Sequence, residues 1–324
     1  MRILITGSNG LLGQKLIHLL LHKREHFFGN LEIETIACSR GENRLNDRHG
    51  YAYVSLDLTD KEAVDRCLNL YLPDCIIHTA AMTNVDACEL EPESCRRHNV
   101  DATKNLIQAA KKMDGEKSTK THFIHLSTDF IFDGEKGPYS EQDEPNPISI
   151  YGQSKLDAER LVQASDLHWA IIRTIIVYGI TQGMSRSNLV LWVSESIKNG
   201  KQINVVNDQF RSPTLAEDLA YGCLLVAAKN AEGVYHLSGP DTHSIFELAG
   251  IVCEEFHLSK EGLTPIQSAL LNQPARRPPK TGFIIEKARK DLGFNPMDFH
   301  SGVRFIQRQI KGEQPEYQPG MGYF

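Results

Sequence analysis

The sequence predicts an α/β fold, a doubly wound parallel sheet accompanied by a second, smaller α/β domain. Three observations predict it. Through the first half, short apolar runs alternate with longer segments of helical period. Several of those runs are apolar almost without interruption, as strands covered on both faces are. The first strand-to-helix junction, Thr6-Gly7-Ser8-Asn9-Gly10-Leu11-Leu12-Gly13, carries three glycines at regular spacing. A length of 324 residues suits one large domain or two intimate ones.

In chain order, the strands are expected at Ile3–Thr6, Ile33–Cys38, Tyr51–Leu56, Cys75–Thr79, His122–Leu126 and Trp169–Arg173. Helices are expected at Leu11–Lys23, Lys61–Tyr71, Pro92–Met113 and Tyr151–Ala164. Asp60 suits the N-cap of the second helix, and Pro92 the first turn of the third. After Tyr178 the pattern changes. Helical stretches at Asn188–Asn199, Leu215–Ala228 and Ser244–Phe256 are separated by short strands at Ile203–Val206 and Val234–Leu237. The division is residues 1–178 for the sheet domain, 179–311 for the substrate domain and 312–324 for a loosely attached C-terminal arm. A return of later segments to the main sheet is left open. Met113–Thr121 reads as a polar surface loop.

Composition narrows the class. Lys plus Arg number 35 and Asp plus Glu 41, a formal net charge of −6. That argues against a nucleic-acid partner, which normally meets a basic face. The 7 cysteines are odd in number and scattered, and form no CxxC. A disulfide framework or a zinc site is therefore not expected, and no metal is assigned. No apolar run is long enough for a membrane span, and the N-terminus opens directly on a strand rather than a signal peptide, so a cytoplasmic location is expected.

The glycine loop lies directly after a strand and before an amphipathic helix. Gly7 permits the tight turn, Gly10 lets backbone approach a pyrophosphate, and Gly13 lets helix and strand pack closely. The helix N-terminus then offers free N–H groups and the positive end of its dipole to phosphates. Gly7, Asn9, Gly10, Leu11 and Leu12 are accordingly candidate contacts to a dinucleotide. Where an acidic residue would bind the adenosine ribose of NAD, the second strand ends in Ser39-Arg40. A hydroxyl and a guanidinium suit a 2′-phosphate, which favours NADP(H) and leaves NAD(H) open. Asp57-Leu58 either meets the adenine edge or belongs to a helix start. Thr79-Ala80-Ala81 either lets a cofactor lie against backbone or serves close packing.

Tyr151-Gly152-Gln153-Ser154-Lys155 is YxxxK, a spacing that puts both side chains on one helical face. An ammonium beside a phenol is expected to lower the phenol pKa and ready it for proton exchange. Leu126-Ser127-Thr128-Asp129 ends a strand at the same sheet edge, where Thr128 could bond the same substrate oxygen.

These residues carry a resemblance to the extended short-chain dehydrogenase/reductases, and among them to the dTDP-4-dehydrorhamnose reductase family. Ser127-Thr128-Asp129-Phe130-Ile131-Phe132-Asp133-Gly134 resembles that family's STDYVFDG. Pro138-Tyr139-Ser140-Glu141, Pro147 and Tyr151 to Leu156 continue it. Ala80 to Asp86 is similar to AAYTxVD. Arg173-Thr174, Val177-Tyr178-Gly179, Val206 to Phe210, Pro213-Thr214, Asp218-Leu219-Ala220 and Arg276-Arg277-Pro278 extend it over residues 1–295. The resemblance implies an NAD(P)-binding Rossmann domain. It implies catalysis by Thr128, Tyr151 and Lys155, with Tyr151 protonating a C4 keto oxygen and Lys155 also bonding the nicotinamide ribose. Asn99 falls at a cofactor-side Asn. Ala80 and Ala81 fall on the cofactor side, and Thr83 and Val85 where substrate and cofactor meet. Asn188, Gln209 and Arg211 are candidates for the nucleotide-sugar side, Arg211 for its diphosphate, with ordinary second-domain surface as the other reading. The sequence itself leaves the oligomeric state open, and the resemblance adds that a homodimer is common in the family.

The chain departs from the pattern at three places: Ile176 stands for a Trp, Arg211 for a Gly, and Thr79 for an Asn. Ile for Trp removes a stacking surface. Two other functions stay open: a nucleotide-sugar epimerase or dehydratase on the same scaffold, and a non-catalytic regulatory subunit of the methionine adenosyltransferase type.

Overall fold

A computed structural model describes residues 1–115, 120–184, 187–313 and 315–319. Seven parallel strands form the central sheet: β1 (Arg2–Thr6), β2 (Glu34–Ser39), β3 (Ala52–Ser55), β4 (Cys75–His78), β5 (His122–Thr128), β6 (His168–Thr174) and β7 (Gly233–His236). Their spatial order is β3-β2-β1-β4-β5-β6-β7. The order reverses between β1 and β4, and this is the crevice where doubly wound sheets bind ligands.

Alternation along the strands explains the two faces. Ile3, Ile5, Ile77 and Ile124 point to one side, against α1 (Leu11–His22) and α6 (Ala216–Ala228). Leu4, Ile76 and Phe123 point to the other, against α2 (Lys61–Tyr71) and α3 (Ala102–Asp114). A period of two with apolar residues at both phases is what two covering helical layers require. Asp60 caps α2 as expected, its Oδ1 accepting from Ala63 N at 3.0 Å.

The expected helix from Pro92 to Met113 is interrupted. A five-residue π-helical turn, Arg97–Asp101, separates Pro92–Arg96 from α3. The extra residue turns Asn99 inward, where its side chain bonds Met82 and Ser154. Helix α4 (Ile150–Gln163) is tied to β6 by a buried, two-pronged ion pair. Arg173 Nε and Nη2 donate to Glu159 Oε1 and Oε2 at 3.1 and 2.8 Å. That pair fixes the pitch of the helix carrying Tyr151 and Lys155.

The second apolar cluster joins α5 (Leu189–Lys198), α7 (Ile245–Glu255) and α8 (Phe299–Ile310) with two short parallel strands, Ile203–Val206 and Leu263–Ile266. Helix α8 is an addition to the expected elements. Gly302 in its middle lowers helix propensity, and it is required there because a Cβ would lie 1.9 Å from Tyr178 Oη. Strand β7, helix α6 and Glu286–Leu292 return from the second half to the main sheet.

Of the loop expected at Met113–Thr121, residues 116–119 lie outside the described residues, as do 314 and 320–324 of the arm. The described part of the arm is docked rather than loose. Tyr317 is half-buried against the second cluster and donates to Asp218 Oδ1 at 2.6 Å, and Lys23 pairs with Glu316 at 3.1 Å. Burial pushes Asp218 up from 3.8 to about 7, against the bonds from Tyr317 and Met297 N. A raised carboxyl favours the fold while it is neutral in the folded state. Its contribution is therefore complete below about pH 4 and is lost as pH rises towards 7. Asp218→Asn keeps the acceptor for Tyr317 and removes the titration. Its Tm relative to the parent should rise between pH 4 and 8. Parallel Tm curves across that range would remove Asp218 from the pH dependence.

Candidate active site

The carboxyl ends of β1, β2, β4 and β5 open into one cleft of about 960 Å3. Its wall at one end is the glycine loop. Gly7 has φ +68°, and a Cβ there would lie 2.8 Å from Ala80 N, so the loop lies hard against the end of β4. Helix α1 starts at Gly10 with no side-chain cap and no acidic residue in its first turn. Its unpaired N–H groups and positive dipole end therefore face the cleft free for an anion. These features fit the pyrophosphate of a dinucleotide. Asn9 braces the loop from behind, its Nδ2 donating to Glu42 O at 2.8 Å while its Oδ1 accepts from Arg44 N at 2.9 Å.

Ser39 and Arg40 line the cleft at the end of β2, with Arg44 beside them. Arg40 Nη1 lies 3.1 Å from His98 Nε2. Asp57 and Leu58 also line it. The Asp57 carboxylate accepts from Thr59 N and Oγ1 at 2.9 and 2.8 Å, and Arg40 helps hold its pKa below the ordinary value. The helix cap belongs to Asp60, so Asp57 shapes the turn ahead of it and faces the cleft.

At the other end stand Thr128, Tyr151 and Lys155, all buried and all on the cleft wall. Thr128 ends β5, and α4 is capped by Ser149, which accepts from Gly152 N. Thr128 Oγ1 donates to Asp129 Oδ1 at 3.1 Å and accepts from Phe130 N at 3.3 Å, and Tyr151 lines the same stretch of wall. The Tyr151 ring meets Phe130 edge-on at 5.6 Å and packs with Cys88 and Cys95. Lys155 donates to Leu126 O at 2.6 Å and to His125 Nε2 at 3.3 Å. Burial lowers Lys155 to about 8 and keeps His125 neutral, so His125 accepts.

The expected lowering of the Tyr151 phenol is corrected by this geometry. Its pKa is raised, first by burial and then by the negative charge of Asp129, with the nearby Thr128 hydroxyl opposing the rise. The Lys155 ammonium is engaged by Leu126 O and His125 instead. A raised phenol holds its proton at neutral pH, as a proton donor must.

Ala80, Ala81, Thr83, Val85, Leu11 and Leu12 line the cleft with these groups. Asn188 lines it too, although its side chain is occupied: Oδ1 caps α5 and Nδ2 donates to Gly179 O at 2.7 Å. Three candidates lie off the cleft wall. Asn99 is buried and ties Met82 to Ser154 behind the Tyr151 helix. Gln209 is buried among second-domain residues, its backbone accepting from Ile245 N. Arg211 is 1% exposed, and its guanidinium donates to the carbonyls of Phe210, Pro278 and Pro279. Those bonds and the pairing with Asp129 draw it away from any diphosphate in the cleft.

The RmlD substrate binding domain family matches residues 1–311. The chain belongs to that family. It is 30% identical to dTDP-4-dehydrorhamnose reductase of Aggregatibacter actinomycetemcomitans over 319 residues, covering 94% of this chain and 98% of that one. It is also 30% identical to methionine adenosyltransferase 2 subunit beta of Mus musculus over 270 residues, 82% of this chain and 75% of that one. Among solved structures, dTDP-4-dehydrorhamnose reductase from Bacillus anthracis str. Ames in complex with NADP superposes with a TM-score of 0.78 at 26% identity, covering 95% of this chain and 99% of that one.

This RmlD-family chain is thus an extended short-chain dehydrogenase/reductase with the NAD(P)-binding Rossmann fold, built as a nicotinamide-dependent oxidoreductase. Some of its cleft residues carry no sequence signal of their own. His98, inside the π-helical turn, and Ser94, in the short helix before it, stand on the wall. Ile176, at φ +28°, is a β-branched residue in a strained conformation, with Thr214 N donating to its carbonyl at 3.1 Å. Among the described residues no cluster of His, Cys, Asp or Glu could hold a metal, and no helix is long and apolar enough to cross a membrane.

Proposed function

We propose that this chain uses NADPH to reduce the C4 keto group of a dTDP-4-keto-6-deoxy sugar, taking dTDP-4-dehydro-L-rhamnose to dTDP-L-rhamnose. One observation carries the reading. Thr128, Tyr151 and Lys155 meet in the same cleft as the uncapped N-terminus of α1, so a dinucleotide held there runs towards the trio. The chemistry supplied by a bound, reduced nicotinamide is hydride to the keto carbon. Tyr151 keeps its proton until the keto oxygen needs it. Thr128 offers its hydroxyl to the same oxygen. Lys155 would hold a ribose hydroxyl and keep the reacting carbon in place. Gly7, Asn9, Gly10, Leu11, Leu12, Ala80, Ala81 and Thr83 would line the cofactor's path, and Val85 the sugar's. The chain is proposed to act as a homodimer, which light scattering on the purified protein would test.

Purified protein mixed with NADPH and dTDP-4-keto-L-rhamnose is expected to deplete nicotinamide absorbance. A protein that neither turns over nor binds the nucleotide sugar would sink the proposal. The likeness to methionine adenosyltransferase 2 subunit beta supports a second reading, a non-catalytic binding subunit. Copurification with an adenosyltransferase together with absent reduction would favour it.

Ser39 and Arg40 favour NADP(H) because a guanidinium matches a 2′-phosphate. Arg40→Ala should cut the preference for NADPH over NADH by about 10-fold to 100-fold, the range of one or two charge-assisted bonds. The ratio of kcat/KM for the two cofactors reads this, and an unchanged ratio would free Arg40 of the role.

A further inference from the structure

Lys155 is held by two neighbouring residues of one strand. Its Nζ donates to Leu126 O at 2.6 Å and lies 3.3 Å from Nε2 of His125, the residue before Leu126 on β5. An ammonium has three N–H groups and no lone pair, so Nε2 must be the acceptor and the ring proton sits on Nδ1. Two of the three N–H groups are thus taken up by β5. The third is left for the cleft that Lys155 lines.

The His125 ring is fully buried, and its Nδ1 has no hydrogen-bond partner among the described residues. Burying a polar ring with one nitrogen unpaired costs stability, and an apolar side chain would fill the same space without that cost. What the imidazole adds here is one acceptor for Lys155. The adjacent His78 on β4 is a contrast. Its ring lies 5.3 Å from that of His125, yet both of its nitrogens are partnered, at 2.7 Å from Thr6 Oγ1 and 3.0 Å from Thr103 Oγ1. His78 is a fixed packing surface, and His125 rests against it. We propose that His125 is a positioning residue for the reduction: its Nε2, together with Leu126 O, fixes the Lys155 ammonium so that the remaining N–H is aimed at the cofactor's ribose. This rests on the reductase reading above, which places the ribose at Lys155.

The charges around Lys155 agree with this role. It is faced by His125 from β5, by His78 from β4, by the Cys95 thiol from Pro92–Arg96, and on α4 by Glu159 and Tyr151, one turn to either side. Glu159 is already engaged by Arg173. Burial keeps both histidines neutral. A carboxylate in place of His125 would pair with the ammonium and cancel its charge. A neutral ring takes one N–H and leaves the charge for cofactor and keto oxygen. Removing that acceptor leaves a buried N–H of the cation unpaired, so the ammonium should give up its proton at lower pH.

The test uses the full chain with His125→Phe, which keeps a ring and removes the acceptor, and His125→Gln, whose side-chain oxygen reaches the place of Nε2. His125→Leu stands in if the Phe variant does not fold. One readout needs no ligand. With lysine labelled by carbon-13 at Cε, and Lys155 assigned through Lys155→Met, nuclear magnetic resonance follows the ammonium as pH rises. The parent should titrate at about 8, His125→Phe about one pH unit lower, and His125→Gln with the parent. The second readout is NADPH affinity at pH 7 by fluorescence titration. It should fall about tenfold in His125→Phe, the scale of one hydrogen bond to a charged group, and recover in His125→Gln. A merely structural ring predicts changes in Tm alone. A Lys155 titration and NADPH affinity that stay with the parent in His125→Phe, or a Gln variant no better than Phe, would overturn the proposal. A parent that binds NADPH and turns over no keto sugar sinks the reductase reading alone, since titration and affinity still decide the role of His125.

Discussion

Replacing Tyr151 with Phe is expected to lower turnover by about 10²-fold to 10⁴-fold, the range for a positioned general acid. The substitution is close to isosteric. The ring keeps its edge contact with Phe130 at 5.6 Å and its packing against Cys88 and Cys95. What disappears is the hydroxyl, and with it the proton that the proposed reaction gives to the keto oxygen. Because Lys155 is held by Leu126 O and His125 rather than by Tyr151, its ammonium stays in place. Affinity for NADPH should therefore change little. Stopped-flow hydride transfer and fluorescence titration of NADPH separate the two. Activity equal to the parent would remove Tyr151 from the mechanism, and an equal loss of cofactor affinity would show that the hydroxyl holds the cleft together.

The pH profile of the parent follows from the same pair. Tyr151 is raised, so its proton is retained across neutral pH, whereas Lys155 sits at about 8. Above that value the cation fades first. Cofactor affinity is then expected to weaken on the alkaline side before the proton donor fails.

The sheet and the cradle were legible in the sequence because both rest on local rules. A continuous apolar run such as Cys75 to His78 has one stable use in a βα alternation, and Gly7, Gly10 and Gly13 meet steric needs set within one turn of chain. The second half was harder for a physical reason. Its elements are settled by contacts made far along the chain. Gly302 is a poor helix residue until Tyr178 lies over it, and the tail is only a Gly- and Pro-rich stretch until Tyr317 finds Asp218. The site divides the same way. Tyr151 and Lys155 share one helix face by their spacing, and Thr128 was joined to them by its place at a strand end and by the family resemblance. Arg211 looks like a free cation in a surface loop. Its burial follows from Phe210, Pro278 and Pro279 closing around it, and no local pattern encodes that closure. The Tyr151 phenol was misjudged because spacing reveals that a Lys is near but not where its ammonium points.

Gly13→Ala is expected to damage fold and cofactor binding together, and its comparison with Gly10→Ala separates two uses of glycine in one loop. A Cβ at Gly13 would lie 2.5 Å from Gly7 O and 2.6 Å from Ser8 Cα. Both are backbone atoms, so no rotamer change relieves the contact and α1 must move off the loop. Overpacking of this kind costs about 1–3 kcal/mol. The displaced helix also carries away the N–H groups facing the cleft, so NADPH affinity should fall by about 10-fold to 100-fold. At Gly10 the nearest atom to an added Cβ is Gly7 O at 3.1 Å, which a shift of a few tenths of an ångström accommodates. Gly10→Ala should therefore leave the Tm of the cofactor-free protein nearly unchanged. It should still weaken NADPH binding, because the methyl group stands where the pyrophosphate approaches backbone. Differential scanning fluorimetry with and without NADPH reads both effects at once. If Gly13→Ala keeps the parent's Tm, the close packing of α1 on the loop is not the constraint described here. If Gly10→Ala binds NADPH as the parent does, the phosphates do not lie against that residue.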